Sequence, residues 1–298
     1  ESEGIKMNIK VAYSGRYSLQ ISGGVSGEID CGWHKNIILN AGINAMLNKS
    51  YPLSYIHVGS GSSTPNENQV QLDAKFAHTS RKSELTRGYV TAEDSDTGKA
   101  YGYNRFKVQF DKGAAKGNIA EIGVGSNTAG NPLWSRSLIL DKKGLPTTIT
   151  VLEDEFLTVV YEVRRYVEVD TSYVQLEYDD DGKNVVIKCG IVPSTSTSHT
   201  GWGSAGLYPR TNGFQPQEWY GSIFNAQKVE NNVAYFTWTE DIDSRNQTFS
   251  SVTVASNQSG SLSDFLIPAG TKFTFDPPIT KTNEFEWSIT VAVAVERA

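Results

Sequence analysis

The chain has 298 residues, 38% of them hydrophobic and 20% charged, a composition that excludes wholesale disorder and allows two ordinary domains or one large β domain. Its 27 Lys and Arg stand against 33 Asp and Glu, a net charge of −6. That balance gives no basic field for a polyphosphate, and no basic stripe interleaved with aromatics runs along the sequence, so no nucleic-acid partner is expected.

Two cysteines, Cys31 and Cys189, lie far apart. A zinc site needs about four closely spaced ligands, so no metal is expected and both thiols read as idle. The opening ESEGIKMNIK lacks the apolar core of a signal peptide, and no apolar run approaches the roughly 20 residues of a spanning helix. The expectation is a chain made soluble in a cytoplasm, without membrane insertion.

Taken in order, the elements are mostly strands. Aromatic content is 11%, with 14 Tyr and 6 Trp, and there are only 2 Met. Aromatic and β-branched residues favour strands. Residues 17–21 alternate with period two. Residues 40–49 read as the single helix, with Ile43, Met46 and Leu47 at i, i+3, i+4, Asn40 as its cap and Tyr51-Pro52 as its stop. Such a helix is expected to plug the end of a sandwich. In 106–110, Phe106, Val108 and Phe110 face one side and Lys107 and Gln109 the other. Residues 148–151 and 156–169 follow as strands. Residues 174–178 and 185–189 flank Asp179-Asp-Asp-Gly-Lys-Asn184, a hairpin signal. Residues 233–238 and 285–295 complete the set, the last weakly echoing 156–169. Residues 59–68, 91–102, 194–217 and 241–263 read as long polar loops, which on a β scaffold bind something or meet a neighbour. The predicted fold is all-β: two β-sandwich-like domains, 1–170 with a short helix near 41–49, and 171–298.

Little in the chain looks catalytic, and no catalytic residue and no cofactor are assigned. The four histidines, His34, His57, His78 and His199, form no zincin spacing, and His57 in its strand reads as a hydrogen-bonded structural residue. Gly59-Ser-Gly61 lacks the Lys that would complete a phosphate loop and reads as a tight turn. Glu153-Asp-Glu155 reads as a solvated turn rather than a glycosidase pair. Asp94-Ser-Asp96, Asp179-Asp-Asp181 and Asp241-Ile-Asp243 offer oxygens to calcium without a full binding loop, and each reads as a turn. The best binding candidate is the stretch 199–220. It carries His199, Trp202, Tyr208, Arg210, Trp219 and Tyr220, aromatic and polar residues suited to a protein interface, to a surface glycan, or to packing beneath their own loop.

Several segments carry a family resemblance. NIILNAG at 36–42, a short helix, IHVGSG at 56–61 and the later Gln71-Leu72 resemble an opening motif of tail, neck and baseplate proteins of tailed bacteriophages. IAEIG at 119–123, LWSRS at 133–137, GLPTTIT at 144–150 and LTVVY at 157–161 resemble the middle of the same proteins, and FTFDPPITKT at 273–282 their approach to a closing strand. The resemblance implies a non-enzymatic structural part of a virion: a neck or collar fibre, a tail part or a baseplate part. Its partners would be copies of itself, with a trimer favoured, and other tail or neck proteins. The alternatives are a receptor-binding module for a bacterial surface glycan, acting through 199–220, and a polysaccharide-degrading enzyme.

Overall fold

A computed structural model describes residues 5–24, 29–47, 53–80, 85–168, 174–180, 183–192, 205–210, 228–240, 247–256, 272–281 and 287–298, with side chains chiefly between 10 and 166. The fold is all-β with a single short helix among these residues. No helix among them is long and apolar enough to cross a membrane. The chain divides into two compact units: Ala12–Tyr166 with Arg297–Ala298, and Glu1–Val11 with Val167–Glu296.

The first unit has two layers. In one, β2 (Ile29–Ile38), β1 (Ile5–Gly23), β11 (Glu155–Glu168), β6 (Tyr101–Gln109) and β5 (Leu85–Val90) lie side by side. Period-two alternation sets its faces. Tyr13, Tyr17, Leu19 and Ile21 of β1, Leu157, Val159, Tyr161 and Val163 of β11, and Phe106 and Val108 of β6 are buried on the inner side. Lys107 and Gln109 are exposed, as the alternation requires. The second layer is β9 (Leu133–Leu138), β8 (Glu121–Gly125), β3 (Tyr55–Gly59) and β4 (Lys75–Ser80), all antiparallel. Strand β2 joins both layers: residues 29–36 pair with β1, and Ile37 and Ile38 pair with Arg136 and Ser135 of β9. A short ribbon of β7 (Gly117–Ile119) and β10 (Ile149–Val151) stands apart.

The layers meet around Tyr161. Its ring lies edge-on to Trp134 at 5.9 Å, and its hydroxyl contacts Ser135 Oγ at 3.0 Å while accepting from Asn36 Nδ2 at 2.6 Å. Gly15 faces the same point, where an added Cβ would fall 2.3 Å from the Tyr161 hydroxyl. Each fully buried aromatic here removes enough apolar surface from water to stabilise the fold by about 1.5–3 kcal/mol. Helix α1 (Asn40–Leu47) buries Ile43 and Leu47 and lies on β9, with Gly42 directly over the Trp134 carbonyl. Arg297 holds the start of this segment, donating to the Ile38 carbonyl and to Asn40 Oδ1.

The second unit contains a five-stranded sheet ordered β12 (Val174–Asp180), β13 (Lys183–Val192), β18 (Lys272–Lys281), β17 (Gln247–Ser256) and β14 (Ala205–Arg210). Strands β12 and β13 form the expected hairpin, in register from Val174↔Cys189 to Asp180↔Lys183. Beside it in the chain, β15 (Lys228–Glu230), β16 (Val233–Glu240) and β19 (Trp287–Arg297) pair in that order. Asn231 and Asn232, at φ of 50° and 62°, make the tight β15–β16 turn, a conformation Asn tolerates and that matches strand twist. Two stretches expected to be loops contain strands. Within 194–217, β14 pairs with β17, and Pro209 is accommodated because β14 is an edge strand. Within 241–263, β17 pairs on both sides. Their polar Ser and Thr content hid the ladder hydrogen bonds that distant partners supply.

Candidate functional site

Four sequence segments singled out above converge on one buried ion pair. Glu121 of IAEIG and Arg136 of LWSRS are both fully buried on neighbouring strands, with Arg136 Nη2 2.8 Å from Glu121 Oε2. Glu121 Oε1 accepts from the backbone N–H of Gly61 at 3.0 Å and of Ala74 at 2.8 Å, and Oε2 from that of Asp73 at 3.1 Å. Arg136 donates onward to Gln69 Oε1 at 2.6 Å, Ser63 Oγ at 3.2 Å and Asp73 Oδ2 at 2.8 Å. The Ser63 hydroxyl, with help from Arg136, holds the Asp73 carboxyl below the usual range. Leu72 completes the cover by packing on Leu39 and Leu133. The network clamps the segment 60–74 across the outer face of β8 and β9. Gly61 allows the close approach, since a Cβ there would lie 2.5 Å from Glu121 Oε1. The Gly59-Ser-Gly61 turn therefore receives an anion, but the anion is the protein's own carboxylate.

A second charged cluster sits on the opposite, outer face of the other layer. Glu162 of β11, fully buried, receives three guanidiniums: Arg16 Nε at 2.7 Å and Arg164 Nε at 2.9 Å on Oε1, and Arg105 at 2.6 and 2.8 Å on Oε2. Burial alone would raise the Glu162 carboxyl, but the three cations outweigh it and hold it below its ordinary value. Asp96, from the 91–100 turn, binds Arg164 at 2.5 Å, and this hydrogen bond keeps its carboxyl low. Trp33 of β2 lies under Arg16 at 4.4 Å and Arg105 at 5.3 Å, and Arg105 also covers the Tyr103 ring at 5.2 Å. Register puts Lys35 opposite Arg16 and Lys107 opposite Val160, so both join this face, and both are exposed. At one end the face closes with a small cluster of Ala12, Tyr101 and Tyr166. This is a basic surface interleaved with aromatics, although no such stripe runs along the sequence. Its residues come from four strands far apart in sequence, and only the pairing of those strands assembles it.

Most of the stretch chosen from sequence lies outside the described residues. His199, Trp202, Trp219 and Tyr220 lie outside the described residues. Tyr208 and Arg210 fall in β14, opposite Thr253 and Ser251. Of the acidic motifs, Glu153 is exposed and paired with Lys116 at 2.8 Å, while Glu155 is buried and accepts from the Leu152 N–H at 2.8 Å. The solvated-turn reading therefore fails for Glu155, because it already belongs to β11 and points into the fold. Asp96 serves guanidiniums, and Asp94 bonds Thr91. Asp181, Asp241 and Asp243 lie outside the described residues. His57 is fully buried, but its ring nitrogens lack a well-formed hydrogen bond among the described residues. Instead it stacks on His78 at 5.8 Å, and burial, with Lys75 and His78 nearby, pushes its pKa down to about 4. The Cys31 thiol is free and buried, and burial raises its pKa. Among the described residues no group of three or more His, Cys, Asp or Glu is arranged to hold a metal. No family model matches this chain, and neither the curated proteins nor the solved structures include one that is significantly similar to it.

Proposed function

We propose that this chain is a non-enzymatic structural component of a tailed-phage virion, acting by assembly with copies of itself and by docking to other virion proteins of the tail or neck. The observation that supports this reading is the Glu121–Arg136 network. The IHVGSG, Gln71-Leu72, IAEIG and LWSRS segments that carry the resemblance meet there, and what they do is clamp a loop to a sheet. Their charged groups are consumed by one another, which suits a scaffold rather than a reaction centre. The outer faces and edges of the strands remain as the working surfaces, where main-chain and side-chain complementarity specify neighbours.

The test is the mass of the purified chain in solution over a range of concentrations, followed by immunolabelling of intact particles. A symmetric oligomer and a fixed location in the particle are expected. A chain that stays monomeric and never enters particles would refute the reading.

A further inference from the structure

We propose that the basic outer face around Trp33 is the surface on which a second copy of this chain docks, presenting its acidic unit. The inference rests on the assembly reading above and names the surface that reading requires.

Charge is divided unequally between the two units. The unit of Ala12–Tyr166 and Arg297–Ala298 holds 18 Lys and Arg against 15 Asp and Glu; the unit of Glu1–Val11 and Val167–Glu296 holds 9 against 18. One is net positive by 3 and the other net negative by 9, and the chain's modest overall charge conceals this. The positive excess is displayed where it is usable. On the outer face of β2, β1, β11 and β6, Lys35 and Lys107 are exposed, Arg16 and Arg105 partly so and Arg164 buried, against Glu162, Asp96 and Asp30 among the described residues. Four adjacent strands span about 14 Å, a compact patch.

Two features make the patch suited to a protein partner. Its guanidiniums are already fixed by Glu162, so little side-chain freedom is lost when they meet a carboxylate. At its centre Trp33 is 41% exposed, a large apolar ring flanked by Arg and Tyr, the residue types that anchor interfaces. Nucleic acid fits less well, because the patch carries the carboxylates of Glu162, Asp96 and Asp30 on a chain of net charge −6. An acidic unit docking on a basic one is a head-to-tail contact. Each copy then offers one surface of each kind, and the contact closes into a ring or continues as a filament.

The test uses the full chain. Sedimentation velocity would be run over a concentration series in about 50 mM and about 500 mM salt. The variants are the exposed pair Lys35→Glu with Lys107→Glu, and separately Trp33→Ala, each checked for unchanged thermal unfolding. The expected result is an oligomer at low salt that dissociates at high salt, weakened about tenfold or more by either substitution. Wild-type oligomers that both variants form equally well would overturn this surface and leave the assembly reading standing. Association that strengthens with salt would also overturn it. A wild-type monomer in both buffers would overturn this inference, and the assembly reading would fall with it only if the chain also never entered particles; a monomer that binds dextran sulfate through Trp33 would make the face a glycan site instead.

Discussion

Arg136 and Glu121 are buried as a pair, and such a pair is costly to break from one side. Arg136→Leu strands the Glu121 carboxylate without its cation, leaving three backbone N–H groups to solvate it. The expected loss is about 3 kcal/mol in urea unfolding. Glu121→Gln costs less, since Asp73 and Gln69 still engage the guanidinium. His57 supplies a separate residue-scale prediction. Its folded pKa of about 4 lies below the ordinary 6.5, so the unfolded chain takes up the proton first as pH falls. Stability from this residue is therefore complete above pH 6.5, declines between about 6.5 and 4, and is flat below that, a total of about 3 kcal/mol. Replacing it by Phe should flatten that part of the stability–pH curve, with the carboxylate-dependent loss at lower pH unchanged. A parent curve already flat across that window would show the shift to be absent.

At the scale of elements, α1 and β9 depend on one missing side chain. A Cβ on Gly42 would sit 2.3 Å from the Trp134 carbonyl oxygen, which is backbone and cannot swing away. Gly42→Ala gains about 1 kcal/mol of helix propensity yet forces the helix off the sheet, so a net loss of about 2 kcal/mol is expected in thermal unfolding. An unchanged or raised Tm would show that the helix is not seated as described. The strands follow the same logic in the opposite sense. Phe106, Val108, Leu157 and Val159 alternate visibly and are buried as their period requires. Strand β14 does not alternate, and the short Val252-Thr-Val254 alternation of β17 is embedded in Ser- and Thr-rich sequence that resembles a loop. Their existence rests on register with each other and with β18.

For the whole molecule, the uneven distribution of charge matters more than its sum. Net charge of −6 describes solubility and says nothing of where a partner docks. The mass of the chain should therefore respond to both concentration and salt. Salt acts through screening with a Debye length of about 10 Å at 0.1 M, comparable to the width of the basic patch. Association insensitive to ionic strength would place the contact on apolar surface elsewhere.

Composition and local periodicity determined the all-β class, the short helix at Asn40–Leu47, the 174–189 hairpin and the burial of the Phe106 face, because each is encoded by neighbours in sequence. The two charged clusters were decided only in three dimensions. Glu121 and Arg136, or Arg16, Arg105 and Glu162, are ordinary scattered charges until antiparallel pairing sets them side by side. A local pattern reports the face on which a residue lies, whereas a charged site is made by residues that strand register brings together from distant parts of the chain.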